Sequence, residues 1–219
     1  MTRQRKPPKS AESAAAEEGL DSELRIIGGE FRGRRLRYHG DPLVRPMKHR
    51  VREAIFNLIG TESIGRHAID VFAGTGALGL EALSRGAARA TLIERHVPTA
   101  RIVEENIAAL GVQDRATLLV TSAFLWGKRD LPAVAADSSP GNEAWLVFCS
   151  PPYDFYIDRA EELLDLIHRI AQSAPAGSTL VVEADERFDF AILIGEEGSA
   201  WDVRVYPPAV VGIWRPEAK

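Results

Sequence analysis

Short apolar segments alternate with longer amphipathic segments along the chain from residue 67 onward. The short segments predict strands, and the longer ones, whose apolar residues recur every three or four positions, predict helices. Strands that alternate with helices build a parallel sheet covered on both faces. Residues 200–216 contain two apolar segments with no helix between them, which predicts an antiparallel hairpin at the sheet edge. The pattern therefore predicts an α/β fold with a mostly parallel, seven-stranded sheet.

Composition divides the 219 residues into three parts. Residues 1–24 are rich in Ala, Glu, Ser and Lys, which predicts a disordered tail. Residues 25–60 predict a short hairpin and then a helix, and residues 61–219 carry the alternating pattern. The stretch 25–52 holds nine Lys or Arg and two Asp or Glu, although the whole chain has a net charge of −4. This basic block indicates a surface for nucleic acid, the alternative being a merely solvated face.

Membrane, secreted and disulfide-rich proteins do not fit this sequence. No apolar run approaches the roughly 20 residues that span a bilayer, and the N-terminus has no apolar core of a secretory signal. The single Cys149 fits a reducing, cytoplasmic environment. No Cys and His residues are grouped at zinc spacing, so we expect no metal site. The segment 129–143 predicts a loop enlarged by insertion.

A glycine-rich turn, Gly74-x-Gly76-x-x-Gly79, follows the first predicted strand and opens a helix. Glycine lets the backbone turn sharply and lets a ligand approach the main chain closely. Glu94 lies twenty residues after Gly74, at the end of the second predicted strand, where its carboxylate can accept both hydroxyls of a ribose. By this motif alone, a nicotinamide-dependent oxidoreductase is a real alternative.

Asp70 favours S-adenosylmethionine over a dinucleotide. It stands four residues before Gly74, where a carboxylate would repel a pyrophosphate. The same carboxylate would attract the ammonium and sulfonium groups of S-adenosylmethionine, unless it only caps a turn or helix. At the end of the third predicted strand, Ser122 could hydrogen-bond an adenine edge, and Ala123 would leave room for the ring.

Several motifs together resemble the amino-group methyltransferases with a Rossmann-like fold. They are Asp-x-Phe-x-Gly-x-Gly at 70–76, the acidic end of the second strand, and Pro-Pro-Tyr after the fourth. The blocks "RIIGGEFRGRRL", "RP" at 45–46, "RVREAIFNLI" and "DVFAGTGALGLEALSRGA" narrow the resemblance to the bacterial 16S rRNA guanine-N2 methyltransferase family. The likeness runs from about residue 25 to the C-terminus and is densest before residue 95.

The resemblance implies a Rossmann-like methyltransferase domain over 61–219, with S-adenosylmethionine as cofactor and the 16S rRNA of the small ribosomal subunit as partner. We expect a monomer. The residues implied to hold the cofactor are Asp70, Phe72, Gly74, Gly76 and Glu94, beside Ser122 and Ala123. Those implied to hold the target base are Ser150, Pro151, Pro152 and Tyr153. The basic segment 25–60 would face RNA phosphates through Arg32, Arg34, Arg35, Arg37, Arg45 and Arg50.

Residues 150–153 form what we call the target loop, and its chemistry follows from its residue types. Pro152 stiffens the turn and keeps Pro151 extended, which aims the Pro151 carbonyl in advance. That carbonyl and the Ser150 side chain could accept hydrogen bonds from the amino group of a base, and Tyr153 could stack on its ring. A serine is shorter than an aspartate and uncharged, so we expect either a slower enzyme, in which Ser150→Asp raises methyl transfer, or an enzyme in which other groups compensate. Cys149 and the aromatic residues 155 and 156 are interpreted as packing residues.

Three positions depart from the usual pattern of the family. Ser150 stands where the family usually has Asp or Asn, Met47 where it has Thr, and His49 where it has Asp. All three concern the target side and leave the cofactor side intact. They keep open a non-catalytic RNA-binding or assembly factor. An adenine-N6 or other amino methyltransferase is a further alternative, because it shares the Pro-Pro-aromatic loop.

Overall fold

The computed structural model describes residues 24–38, 49–136, 144–193 and 201–216. Residues 1–23 of the predicted tail lie outside these ranges, as do Arg45 and Met47. In chain order the elements are α1 (His49–Ile59), β1 (His67–Asp70), α2 (Ala77–Ser84), β2 (Arg89–Ile93), α3 (Val97–Leu110), β3 (Ala116–Leu119), α4 (Ala123–Arg129), α5 (Leu131–Ala136), β4 (Trp145–Cys149), α6 (Phe155–Asp158), α7 (Ala160–Ser173), β5 (Thr179–Asp185), a 3-10 turn (Phe190–Ile192), β6 (Asp202–Tyr206) and β7 (Ala209–Trp214).

The seven strands form one sheet in the order β3-β2-β1-β4-β5-β7-β6. Neighbouring strands from β3 to β5 in this order are parallel, whereas β7 runs antiparallel to both β5 and β6. The predicted α/β fold, its mostly parallel sheet and its C-terminal hairpin are therefore confirmed. The strand order reverses between β1 and β4, and sheets of this kind bind ligands at such a point, beyond the carboxyl ends of the strands.

Successive residues of the central strands face two separate apolar cores. Ala68 and Leu146 belong to the core that includes residues of α1, α2 and α3, whereas Ile69 and Val147 belong to the core that includes residues of α4 and α7. Because side chains alternate across a strand, a strand covered on both faces needs apolar residues at every position. Among the described residues, no helix has the length and apolar character to cross a membrane.

Two predicted boundaries are wrong. The third strand ends at Leu119 rather than at Ala123, because Ala123 already begins α4. The segment 129–143 is not a loop throughout, since α5 occupies its first part; residues 137–143 lie outside the described ranges. Leu131 is 1% exposed and ties α5 to the core. A six-residue helix with one buried leucine carries almost no periodic signal in the sequence.

Residues 24–38 fold back on themselves and pack against α2. The predicted hairpin is present as a single antiparallel pair, Arg25 with Arg35. The amide of Glu30 donates to the carbonyl of Ser84 on α2 at 2.7 Å. Gly29 has φ 76°, and a β-carbon there would lie 1.8 Å from that carbonyl oxygen, so only glycine permits this contact. The basic segment is thereby fixed to the helix that follows the glycine-rich turn.

Candidate active site

The glycine-rich turn lies between β1 and α2 and uses left-handed backbone at two positions. Gly74 has φ 53° and Gly76 has φ 81°. A β-carbon on Gly76 would come within 3.0 Å of the Leu92 side chain on β2, so the turn passes close to the neighbouring strand. Asn106 of α3 is fully buried and donates from its side-chain amide to the carbonyl of Thr75 at 3.0 Å. The turn is therefore held from both the sheet and α3.

Asp70 and Glu94 lie on the same side of the sheet, at the carboxyl ends of the adjacent parallel strands β1 and β2. Glu94 accepts hydrogen bonds from the amide of Gly74 at 3.0 Å and from the amide of His96 at 2.7 Å. Asp70 Oδ2 accepts one from the amide of Gly79, in the first turn of α2, at 3.1 Å. The sequence predicts that both carboxylates lie at this turn. In the structure each of them accepts a hydrogen bond from a backbone amide of the turn or of the helix that follows it.

The buried carboxylate of Asp70 has the environment of a binding site for a cation. It is 1% exposed, and its second oxygen, Oδ1, is buried without a partner at hydrogen-bonding geometry. Burial and, to a smaller extent, the charge of Glu94 raise the pKa of Asp70 to about 7, against the opposing amides of Gly79 and Phe72. A buried carboxylate with one unsatisfied oxygen fits an ammonium ligand, which would donate a hydrogen bond and restore the charge.

The remaining predicted cofactor residues lie near an aromatic cluster. Phe72, Phe124 and Phe155 are in mutual contact, with ring centroids 5.8–6.1 Å apart. Ser122 is half-buried and precedes α4, and its hydroxyl does not cap that helix. The buried Ala123 is the first residue of α4. Phe124 and Phe155 thus contact Phe72, a predicted cofactor residue, although the sequence indicates only a packing role for Phe155.

The target loop begins where β4 ends, beside β1 in the sheet. The Ser150 hydroxyl donates to the carboxylate of Glu183 on β5, and the Tyr153 hydroxyl donates to the other oxygen of the same carboxylate at 2.8 Å. The Tyr156 hydroxyl donates to the backbone carbonyl of Glu183 at 2.7 Å. Pro151 is buried and Pro152 is exposed. The predicted target residues are therefore tied to β5 rather than only stiffened by the two prolines.

Glu183 is the site residue that the sequence analysis missed. It is 6% exposed, and burial raises its pKa, while the hydrogen bonds from Ser150 and Tyr153 oppose that rise. The available signal was a carboxylate within an otherwise apolar strand, since a lone buried charge is costly and needs partners. The sequence does not show which residues are the hydrogen-bond partners of Glu183, and Ser150, one of them, lies 33 residues away.

The predicted RNA-binding arginines belong to the N-terminal segment and to α1, and Arg34 and Arg37 are among those with intramolecular partners. Arg34 donates to the carbonyl of Ala109 near the end of α3, and Arg37 pairs with Glu105 at 3.0 Å. The exposed arginines of the set that lie within the described ranges are Arg32, Arg34, Arg35, Arg37 and Arg50. His49, one of the three departures, is exposed and lies 3.9 Å from Glu53.

Known proteins resemble the chain over most of its length. A family model described as conserved hypothetical protein 95 matches residues 24–193. The "Ribosomal RNA small subunit methyltransferase D" of Escherichia coli (strain K12) is 40% identical over 131 residues, which are 60% of this chain and 61% of that protein. The chain is thus aligned with about three fifths of that relative's length.

Two further matches cover a larger share of the length of the matched protein. The "Putative rRNA methyltransferase YlbH" of Bacillus subtilis (strain 168) is 31% identical over 173 residues, 79% of this chain and 89% of that protein. A solved structure of a hypothetical protein from Thermus thermophilus superposes with a TM-score of 0.67 and 26% identity, covering 88% of this chain and 99% of that one.

Proposed function

The chain belongs to the conserved hypothetical protein 95 family, and we propose that it transfers a methyl group from S-adenosylmethionine to ribosomal RNA of the small subunit. The names of its relatives support this reaction class. The observation that carries the proposal is the pair Asp70 and Glu94 around the glycine-rich turn, one strand away from the Pro-Pro loop. Asp70 would repel the pyrophosphate of a dinucleotide.

The cofactor supplies a methyl group on a positively charged sulfur. Asp70 Oδ1 holds its ammonium group, and the Glu94 carboxylate accepts from its ribose hydroxyls. Phe72, Gly74 and Gly76 form the floor of the site, where the glycines leave the backbone accessible. Ser122 and Ala123 border the adenine ring. Each of these roles is a proposal for binding.

We assign the exocyclic N2 of a guanine as the acceptor. This amino nitrogen is a poor nucleophile because its lone pair is delocalised into the ring. The Ser150 hydroxyl oxygen and the Pro151 carbonyl oxygen accept hydrogen bonds from the amino group. These bonds favour a tetrahedral geometry at the nitrogen and align the nitrogen with the methyl group. Pro152 keeps that carbonyl in place, and Tyr153 provides a face on which the base stacks for roughly 1–3 kcal/mol. The base must first leave its stack or be unpaired already.

Residues 25–60 form the RNA-facing part and residues 61–219 the methyltransferase domain, in a protein that acts as a monomer. The basic segment supplies affinity through phosphate contacts, which carry no sequence information. Its attachment to α2 and α3 supports this arrangement, because the Gly29–Ser84 contact and the Arg37–Glu105 pair place it beside the helices that flank the glycine-rich turn.

The function is tested by methyl transfer from isotope-labelled S-adenosylmethionine to small subunits purified from cells that lack this protein, followed by nucleoside analysis. N2-methylguanosine is the expected product. N6-methyladenosine would assign the adenine-directed alternative instead. Intact binding to subunits without a methyl mark would identify an assembly factor. If a nicotinamide dinucleotide raised the melting temperature of the protein and S-adenosylhomocysteine did not, the result would support an oxidoreductase instead.

Binding to small subunits should weaken steeply with salt, and the basic segment should account for part of that slope. Each phosphate contact removed lowers the slope of log affinity against log salt by about 1. We therefore expect the double variant Arg32→Gln with Arg35→Gln to lose about 2 from the slope, measured by filter binding with wild-type protein as reference. Arg204→Gln, on the distant edge strand β6, is the matched control and should leave the slope unchanged. An unaltered slope in the double variant would remove these arginines from the interface.

A further inference from the structure

Glu183 is the buried carboxylate that organises the target loop. Its two oxygens accept hydrogen bonds from the hydroxyls of Ser150 and Tyr153, and its backbone carbonyl accepts one from Tyr156. The sequence of the loop offers one side-chain acceptor for the base, the hydroxyl of Ser150. In the folded chain, however, that group is one half of a hydroxyl–carboxylate pair between β4 and β5, so the loop has an anion that its own sequence lacks.

We propose that Glu183 is a positioning residue that orients Ser150 as an acceptor for the amino group of the target base and finally takes the proton which that group releases. This inference rests on the proposed methyl transfer. A hydroxyl that donates its only proton to Glu183 keeps its lone pairs for an incoming N–H. Hydrogen bonds in a chain polarise one another, so the carboxylate also strengthens the serine oxygen as an acceptor. Ser150 and Glu183 together thus do what a single aspartate could do.

The proton and electron count of this step is balanced. The base nitrogen uses its lone pair to form the bond to the methyl carbon, and the carbon–sulfur bond breaks with its electron pair remaining on sulfur. The nitrogen then carries one proton in excess. That proton passes to Ser150 Oγ while the hydroxyl proton passes to Glu183 Oε2. The products are the neutral methylated base, a neutral thioether and a neutral carboxylic acid at residue 183.

The groups around Glu183 keep a single charge state, whereas burial raises the pKa of Glu183 itself. Cys149 of β4 and Tyr156 of α6 both have pKa values raised by burial, so each stays neutral. Asp185, two residues further along β5, has its pKa lowered by Arg187 and stays charged. The strand β7, on the other side of β5, has the sequence AVVGIW and brings no titratable side chain.

The burial that raises the pKa of Glu183 therefore defines the expected pH profile. The carboxylate must be ionised to take the proton, so the transfer rate should rise with pH through this raised pKa and then level off. Tyr153 faces the same carboxylate and donates to it, which favours the ionised form. Measurements at saturating cofactor keep Asp70 ionised, because its cationic ligand is then bound.

Glu183→Gln is the first test, because it keeps the size of the side chain and removes its charge. We expect the single-turnover methyl-transfer rate to fall about tenfold to a hundredfold, the effect of losing one charged hydrogen bond in the transition state. We also expect the rise of rate with pH to disappear. The affinity for S-adenosylhomocysteine by calorimetry and the half-saturating concentration of small subunits should stay within about twofold of wild type. Asp185→Asn, on the same strand, is the matched control and should keep both the rate and its pH profile.

Ser150→Asp provides the second test, with the sign opposite to that expected for the slower enzyme. In the presence of Glu183 the new carboxylate faces an existing one, and two such groups must share a proton. We expect the rate to fall. In the double variant Ser150→Asp with Glu183→Gln, the glutamine amide can donate to the aspartate. We expect this variant to regain at least about tenfold over Glu183→Gln alone.

The outcomes separate this inference from the proposed function. If wild-type protein leaves no methyl mark on small subunits, the proposed function fails. If wild type is active and Glu183→Gln has the same rate and pH profile, the role of Glu183 is refuted and the function stands. A double variant no faster than Glu183→Gln would also refute the role of Glu183, because a carboxylate at position 150 would then fail to replace the one at position 183. Loss of cofactor affinity in Glu183→Gln would assign it a purely structural role.

Discussion

Asp70→Asn should weaken the binding of S-adenosylhomocysteine about tenfold to a hundredfold, the cost of one charge-assisted hydrogen bond. At the same time it should make the ligand-free protein more stable at pH 8. The side chain is 1% exposed and keeps one oxygen without a partner, so its negative charge is costly until a cation arrives. Asparagine has nearly the same shape and no charge. A gain in stability coupled to a loss of affinity is what a residue kept for binding would give.

The sign of the pH dependence follows from the direction of the pKa shift. The pKa of Asp70 is raised from 3.8 to about 7. Below pH 3.8 the carboxyl is protonated in both states and contributes nothing. Between the two values the unfolded chain releases a proton that the native protein retains, so the free energy of unfolding falls as pH rises. Above about pH 7 the penalty is complete and amounts to about 4 kcal/mol.

Urea unfolding of wild type and Asp70→Asn at pH 4 and pH 8 measures this difference. We expect the variant to be more stable by about 2–4 kcal/mol at pH 8 and by much less at pH 4. Asp185→Asn is a control of opposite sign, since Arg187 lowers the pKa of Asp185 and its charge is favourable at pH 8. Asp70→Asn would prove less stable at pH 8 if the charge of Asp70 strengthened the hydrogen bond from Gly79 by more than its burial costs. Unchanged affinity would show that Asp70 does not touch the cofactor.

The meeting of Asp70 and Glu94 at one edge of the sheet could be predicted from the sequence because its geometry is local. Asp70 and Glu94 end two strands, and consecutive parallel strands in such folds are neighbours, so their carboxyl ends meet at one edge. The strands themselves were predictable because burial on both faces demands continuous apolar runs. The helix α5 was not, since a short helix with a single buried leucine leaves no periodicity to detect.

The contacts that were not predicted join residues far apart in sequence. Ser150 meets Glu183 only because β4 pairs with β5, and the register of that pairing is not written in either strand. Asn106 looks like an ordinary polar residue of α3. In the folded chain its side chain donates to the carbonyl of Thr75 and accepts from the amide of Arg37 at 2.6 Å, so one residue links the glycine-rich turn to the basic segment. Such bridges depend on packing, which sequence periodicity does not specify.

The attachment of the basic segment depends on a buried carboxylate, Glu81 of α2. Its oxygens accept hydrogen bonds from the amides of Ile27 at 2.7 Å and Gly28 at 2.8 Å, and from Arg85 Nε at 2.8 Å. The guanidinium of Arg52 lies 4.0 Å away, and both side chains are 0% exposed. Burial lowers the pKa of Arg52, and the charge of Glu81 opposes that change. Glu81 therefore neutralises a buried cation and satisfies two backbone donors at once.

Glu81→Ala should destabilise the protein by about 3–5 kcal/mol, because it leaves the buried Arg52 without its anion. Urea unfolding measures the loss, and hydrogen exchange at the amides of Ile27 and Gly28 reports release of the segment. Arg52→Met is the matched control, since removing the cation as well as the anion should recover much of the loss in the double variant. A loss below about 1 kcal/mol would mean that water replaces Glu81 at little cost. Under the proposed function, Glu81→Ala should weaken binding to small subunits while S-adenosylhomocysteine still binds, because Asp70 and Glu94 are untouched.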